Sequence, residues 1–230
     1  MKIAIVFSGR LDKYLETYQN IFENVVRRPF GVCSANFGNV VCTSSLSRDV
    51  DFFLSQSKAP YISYKMNEFI KLYNPKIILQ NDEPLYYFPE EKYLVYPETN
   101  IHNTMCMYFN RMKAGKFLNS YIEESSTNYD IVISYRIDLY ASSILNLDSL
   151  LPEIKQGKVC IPLGNDHRGI NDQIAIGKTE VVLTYLNLYE SITDILDKGC
   201  IFNPELLLQN YLAMMDIKVF RFDFKYEIVR

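Results

Sequence analysis

Four short stretches of this 230-residue chain carry side chains whose types and spacing suit chemistry. The most telling reads Tyr129-Asp-Ile-Val-Ile-Ser-Tyr-Arg-Ile-Asp-Leu-Tyr140. Its apolar run, Ile131 to Ile133, has the make-up of a buried strand, and alternation puts Arg136 and Asp138 on one face at the strand's end. A cation beside a carboxylate at the carboxyl end of such a strand lies where open α/β sheets bind anionic ligands. The carboxylate has the chemistry to hold a divalent cation that bridges a diphosphate. The same two side chains also suit a plain ion pair at a strand end.

The second stretch is Phe7-Ser8-Gly9-Arg10. Glycine permits a tight exit from a strand and close backbone approach to a ligand. A helix following it offers free N–H groups to an anion, and Arg10 offers a forked contact to phosphate. An ordinary strand-to-helix turn with an exposed arginine fits the same residues. Neither Gly-x-Gly-x-x-Gly nor the P-loop pattern is present, which removes support from dinucleotide and ATP-hydrolase readings. The third, Asn171-Asp172-Gln173, stands just before an apolar strand. Its amides and carboxylate match the paired donors and acceptors of a hydroxyl-rich ligand, or cap a local turn. The fourth is Asn203-Pro204-Glu205, in which Glu205 is either a general base or a first-turn acid that complements a helix dipole.

The elements that must position these groups follow from the pattern. Residues 2–7 form an apolar run typical of a parallel strand, and residues 11–27 space Leu11, Leu15, Tyr18, Phe22 and Val25 as a helix. Val40–Thr43 reads as the second strand, 49–57 as a short helix, and 76–79 as the third strand. Residues 81–100 contain Pro84, Pro89 and Pro97 and read as a loop. Helical spacing returns over 101–124 through Met105, Tyr108, Met112, Leu118 and Ile122. Strands follow at 158–161 and 173–176, helices at 179–197 and from Pro204 to about Met215, and an alternating strand at 218–229. The expected fold is α/β: a mixed, mostly parallel central sheet flanked by helices, with a small antiparallel addition in the C-terminal half.

Composition narrows the function. A net charge of −3 supplies no global basic field, so nucleic acid is not an expected partner and any phosphate site must be local. No apolar run approaches a membrane span, and the N-terminus is too short and abrupt for a signal peptide, so a soluble cytoplasmic protein is expected, in the host cytoplasm if the source is a virus. Five cysteines without Cys-x-x-Cys disfavour a zinc site or a disulfide scaffold. A catalytic pair of a cysteine with His102 or His167 has no motif behind it. The 18 Tyr and 14 Phe read as core packing ahead of a sugar-stacking cleft.

In this order, the segments resemble glycosyltransferases of the GT-A (Rossmann-like) fold, above all small enzymes of bacterial surface-polysaccharide synthesis and of large-virus glycan assembly. The resemblance rests on the strand running into Ser8-Gly9-Arg10, and on the helix from Asn103 to Tyr121 followed by Tyr129–Ile133 and Arg136-x-Asp138-Leu139. It rests equally on Asn171-Asp172-Gln173-Ile174-Ala175-Ile176-Gly177, similar to the family's Asp-Gln-Phe-Ala-x-Gly element, and on Pro204-Glu205-Leu206-Leu207 with its closing strand. It implies a single domain over 1–230, with a nucleotide-sugar-binding half (1–140) and an acceptor-binding half (141–230). Phe7, Ser8, Gly9, Arg10, Asn103, Arg136, Asp138 and Gln173 would bind the donor, a uridine- or guanosine-diphosphate hexose or deoxyhexose. Asp138 would hold Mn²⁺ or Mg²⁺ on the diphosphate. Asp172 and Glu205 would be the catalytic carboxylates facing the sugar and a glycan or other hydroxyl acceptor. One departure stands out: Arg136 occupies the place of the first acid of the family's Asp-x-Asp, and no C-terminal His follows. That keeps two alternatives open, a non-catalytic carbohydrate- or protein-binding module and, further off, a sugar-phosphate nucleotidyltransferase.

Overall fold

The computed structural model describes residues 1–8, 13–27, 49–57, 63–89 and 91–229. Strand β1 (Lys2–Ser8) leads to helix α1 (Tyr14–Ile21), which continues as a π-helical turn (Phe22–Arg27). Then come β2 (Asp49–Ser57), α2 (Ser63–Tyr73), β3 (Ile77–Asn81), the long α3 (Ile101–Ser125), β4 (Ile131–Arg136) and β5 (Leu139–Ala141). The C-terminal half adds α4 (Leu147–Lys155), β6 (Val159–Pro162), β7 (Ile174–Gly177), α5 (Thr179–Leu186), α6 (Ile192–Asp197), α7 (Pro204–Met214), β8 (Val219–Phe222) and β9 (Tyr226–Ile228).

Seven strands form one sheet in the order β3-β2-β1-β4-β7-β6-β8. The first four are parallel, β7 runs antiparallel to β4 and β6, and β8 lies parallel to β6. β5 and β9 make a separate antiparallel pair. This is the mixed, mostly parallel sheet with a small antiparallel addition that the sequence predicts. The covered sheet explains why its central strands are nearly continuous apolar runs. Ile3, Ile5, Phe7, Phe52, Leu54, Ile133 and Tyr135 pack beneath α1, α2 and α4, while Ala4, Val6, Phe53, Val132 and Ala175 pack against α3, α5 and α7.

Much of the aromatic content sits in the first of these layers. Phe7 stacks on Phe52 at 5.8 Å and meets Phe69, Tyr73 and Tyr135 edge-on, and Phe69 stacks on Tyr73 at 4.6 Å. Such pairs favour offset or edge-to-face geometry and dominate core energetics. Here the core-packing reading of the tyrosines and phenylalanines holds.

Three expectations change. Residues 49–57 are the strand β2, not a helix. Asp51 is buried near the start of β2, accepting from Tyr129 Oη at 2.6 Å, with Lys76 3.5 Å and Lys2 3.6 Å away. With that acid satisfied, Val50, Phe52 and Leu54 fill one face and Phe53 the other. The single helix expected over 179–197 is α5, a 3₁₀ turn at Asn187–Ser191, and α6. The strand expected over 218–229 is two, since the chain leaves the main sheet after Phe222 and β9 pairs with β5. The strand read at Val40–Thr43 lies outside the described residues, as do Gly9 and Arg10.

Candidate active site

The parallel register aligns Ser8 of β1 with Ser55 of β2 and Arg136 of β4 at the carboxyl ends of the strands. By alternation these side chains stand on the α3 side, above Val6, Phe53 and Ser134. The row is small and polar where the strands below it are apolar. Ser55 Oγ donates to the Asn110 carbonyl of α3 at 2.9 Å, and Asn81 Nδ2 donates to Ser55 Oγ (2.9 Å) and Asn110 Oδ1 (2.7 Å). Phe7 contributes to the core, and only its neighbour Ser8 belongs to this polar row.

Arg136 and Asp138 meet as alternation predicts. Nε of Arg136 donates to Asp138 Oδ1 at 2.6 Å and Nη2 to Oδ2 at 2.8 Å, a forked pair that takes up both carboxylate oxygens. The side chains keep 33% and 15% of their surface exposed. The Arg136 backbone N–H donates to the Gln173 carbonyl at 3.1 Å, which ties this strand end to the segment before β7.

That segment is anchored from several sides. Asn171 Nδ2 donates to the Gly164 carbonyl (2.9 Å) and Tyr226 Oη (2.6 Å), and its Oδ1 accepts from Gln173 N–H at 2.9 Å. The asparagine thus serves turn chemistry. Asp172 accepts from Arg111 of α3 at 3.1 Å, with side-chain exposures of 7% and 3%. Tyr185 Oη donates to the Asp172 carbonyl, and the Tyr108 ring lies 5.3 Å from the Arg111 guanidinium. Burial alone would lower the Arg111 pKa, but Asp172 and the neighbouring tyrosines hold it above its ordinary value. Among the described residues, two buried polar atoms here, Arg111 Nε and Gln173 Oε1, find no partner. Buried polar atoms are rarely left so, and sites for ligand or water are where they occur.

Glu205 opens α7. Asn203 caps that helix, its Oδ1 accepting from Leu206 N–H at 3.0 Å, and Pro204 takes the first turn, where no N–H is needed. Tyr108 Oη donates to the Pro204 carbonyl at 2.7 Å, which fastens this start to α3. Glu205 is only 7% exposed. Burial, reinforced by the charge of Asp172, pushes its carboxyl up to about 7, although Asn203, His167 and its own backbone pull the other way. It therefore gains and loses its proton near neutral pH, unlike an ordinary first-turn acid.

Glu205 lines a polar cavity of about 270 Å³ together with Asn103, Thr104, His167, Asn203 and Tyr96. One wall is the loop between β6 and β7, where Asn165, His167 and Arg168 all adopt positive φ (54°, 34° and 77°). Non-glycine residues pay strain in that region and gather at functional sites. Asp166 stabilises the loop by accepting from Arg221 Nη2 at 2.6 Å, and Arg168 lies 4.6 Å over the Tyr96 ring. The loop presses against α7 so closely that a Cβ on Gly169 would lie 2.1 Å from the Glu205 carbonyl carbon and oxygen. Only glycine fits there, and the Glu205 carbonyl accepts Ile170 N–H at 3.1 Å.

The candidate residues thus fall into two groups joined by residues 171–173. Ser8, Arg136, Asp138 and Gln173 lie at the strand ends; Asn103 and Glu205 share the cavity; Asp172 stands between, closed by Arg111. Gly9 and Arg10 lie outside the described residues. Arg111 was not among the candidate residues read from the sequence. Its signal was a charged residue on the buried stripe of α3, one helical turn from Tyr108. Elsewhere, Cys106 Sγ lies 3.5 Å from His102 Nε2, but burial and Glu83 raise its thiol, which argues against an activated nucleophile.

The donor set around Asp138 does not suit the divalent metal that the resemblance implies. Both of its oxygens are held by a guanidinium. Among the described residues no three His, Cys, Asp or Glu side chains are arranged to share an ion. Mg²⁺ and Mn²⁺ at a diphosphate take one or two carboxylates with water and phosphate oxygens, and here the one carboxylate at the strand end is already forked by Arg136.

The fold is GT-A-like, that of nucleotide-sugar glycosyltransferases. Among solved structures, apo mouse xyloside xylosyltransferase 1 superposes with a TM-score of 0.50 at 11% identity, over 97% of this chain and 86% of that one. The glycosyltransferase GlyE of Streptococcus pneumoniae TIGR4 follows at 0.49 and 11% identity, over 96% of this chain and 46% of GlyE. At such identities the likeness is one of fold. No protein-family model matches the sequence, and no curated protein does. Among the described residues no helix is long and apolar enough to cross a membrane.

Proposed function

We propose that this chain transfers a hexose or deoxyhexose from a nucleoside-diphosphate sugar to a hydroxyl of a glycan acceptor. The observation that carries the proposal is Glu205, a nearly buried carboxyl poised near neutral pH in the wall of a polar cavity, beside the carboxyl ends of a GT-A-like sheet. A general base works best with a pKa near the working pH. In the displacement that this placement supports, Glu205 accepts the proton of the acceptor hydroxyl. The acceptor oxygen then bonds to the anomeric carbon as the bond from that carbon to the diphosphate oxygen breaks, and the nucleoside diphosphate leaves with the electron pair. The anomeric centre inverts. Arg136 faces the diphosphate, Ser8 and Gln173 line its approach, and Asn103 shares the cavity of Glu205. Asp172 acts at a distance, raising the Glu205 pKa through its charge while Arg111 holds it in place. The 1–140 half supplies the donor side and the 141–230 half the acceptor side.

Incubation with a panel of uridine- and guanosine-diphosphate sugars, with and without glycan acceptors, tests the reading through release of free nucleotide. At least one donor should be consumed, and Glu205→Gln should slow the release by about 10²–10⁴-fold. A chain that binds a glycan and consumes no donor would instead be the non-catalytic module.

A further inference from the structure

Resting on the donor-binding reading above, we infer that the diphosphate of the donor is bound by the Arg136 guanidinium, held in place by Asp138, and that donor binding needs no divalent metal. By the resemblance given above, the position two residues before Asp138 would be an acid. Here that position is Arg136, and its fork closes on both oxygens of Asp138 at 2.6 and 2.8 Å. A metal on Asp138 must either strip off this guanidinium or lie against it, cation against cation. Asp172, the other acid of the described site, is closed by the buried Arg111. The stretches outside the described residues contain two acids, Asp12 and Glu90, and no histidine.

An anion meets no such obstacle. A guanidinium has five N–H donors. Asp138 engages two of them. Among the described residues the remaining donors have no partner, so they can take phosphate oxygens without the pair opening, and the side chain is one-third exposed to receive them. The carboxylate's part is then positional. It fixes the plane of the fork at the strand end, in register with Ser8 and fastened through the Arg136 N–H to Gln173. Held in that way, little side-chain entropy remains to be lost when the diphosphate binds.

Calorimetric titration of the full chain with the uridine- and guanosine-diphosphate sugars, in EDTA and again in Mn²⁺, tests this. The expected result is one Kd, the same within about twofold in both buffers. Arg136→Gln should weaken it about ten- to hundredfold, the loss of a charge-assisted hydrogen bond. Arg136→Lys, which keeps the charge and loses the fork, should fall between. Asp138→Asn separates the two cases: the amide oxygen still accepts one Arg136 N–H, so the looser fork costs no more than about a few-fold in affinity, whereas a metal site would lose binding. Binding that requires Mn²⁺ and is lost in Asp138→Asn overturns the inference and leaves the transferase reading standing. Absence of binding by any nucleotide-sugar in either buffer overturns both. The EDTA comparison on the unaltered chain needs no variant to fold.

Discussion

Two arginine–aspartate pairs, built from the same residue types, stand in the candidate site, one at the strand ends and one between them and the Glu205 cavity, and have opposite characters. Arg111–Asp172 is sealed between α3 and β7, with side-chain exposures of 3% and 7%. Arg136–Asp138 sits at an open strand end with 33% and 15%. A buried ion pair costs its desolvation and is dangerous to break, because the surviving partner is left charged in a poor solvent. An open pair gains little and loses little. The sealed pair is therefore suited to hold geometry and to set the field around Glu205, and the open pair is suited to receive a charged ligand. Chemistry alone does not separate the two; burial does.

The largest effect should come from breaking the sealed pair. Arg111→Met or Asp172→Asn should cost about 3–5 kcal/mol in chemical denaturation. Asp172→Asn should also lower the Glu205 pKa, since the charge that helps to raise it is gone. A loss below about 1 kcal/mol would mean that the pair is not sealed in solution.

Next comes the acid that the sealed pair tunes. A carboxyl whose pKa is raised on folding, from 4.5 to about 7, lets the folded state hold an extra proton between those values. Its contribution to stability is present below pH 4.5 and is lost as pH rises through about 7. Glu205→Gln should remove that slope, so the variant melts higher than the native chain at pH 8 while turning over more slowly. Stability gained at the expense of activity is the mark of a functional strained group. A variant that melts lower at pH 8 would count against a buried, reluctant carboxylate.

Smaller again is the cap. Asn203→Ala removes the acceptor for Leu206 N–H and should cost about 1 kcal/mol. The smallest effect on stability belongs to the open pair: a double-mutant cycle on Arg136 and Asp138 should give a coupling of about 1 kcal/mol or less. A coupling of several kcal/mol there would erase the contrast between the pairs.

Much of this arrangement was legible in the sequence, and what was not has physical causes. Strand alternation alone brought Arg136 and Asp138 together, because side chains two apart on a strand share a face. The parallel core strands were visible as apolar runs. β2 was misread as a short helix; the partners that satisfy Asp51, namely Lys2, Lys76 and Tyr129, are distant in sequence and invisible locally. Glu205 stood out as an acid after Asn-Pro at a helix start, and the start of the helix at Pro204 is as read. Its raised pKa was beyond reach, because it depends on burial under the β6–β7 loop and on Asp172, both brought in by the fold. Arg111 was overlooked when the apolar stripe of α3 was counted, although a lone charge on that stripe needs a buried partner.

The central claim is that Glu205 serves as the base of a sugar transfer, and the pH dependence of nucleoside diphosphate release tests it most directly. For the native chain, kcat/KM should rise through an apparent pKa of about 7, and in Glu205→Gln that limb should vanish with the rate about 10²–10⁴-fold lower. A profile with the same limb in the variant, or no release from any nucleotide-sugar, would contradict the account.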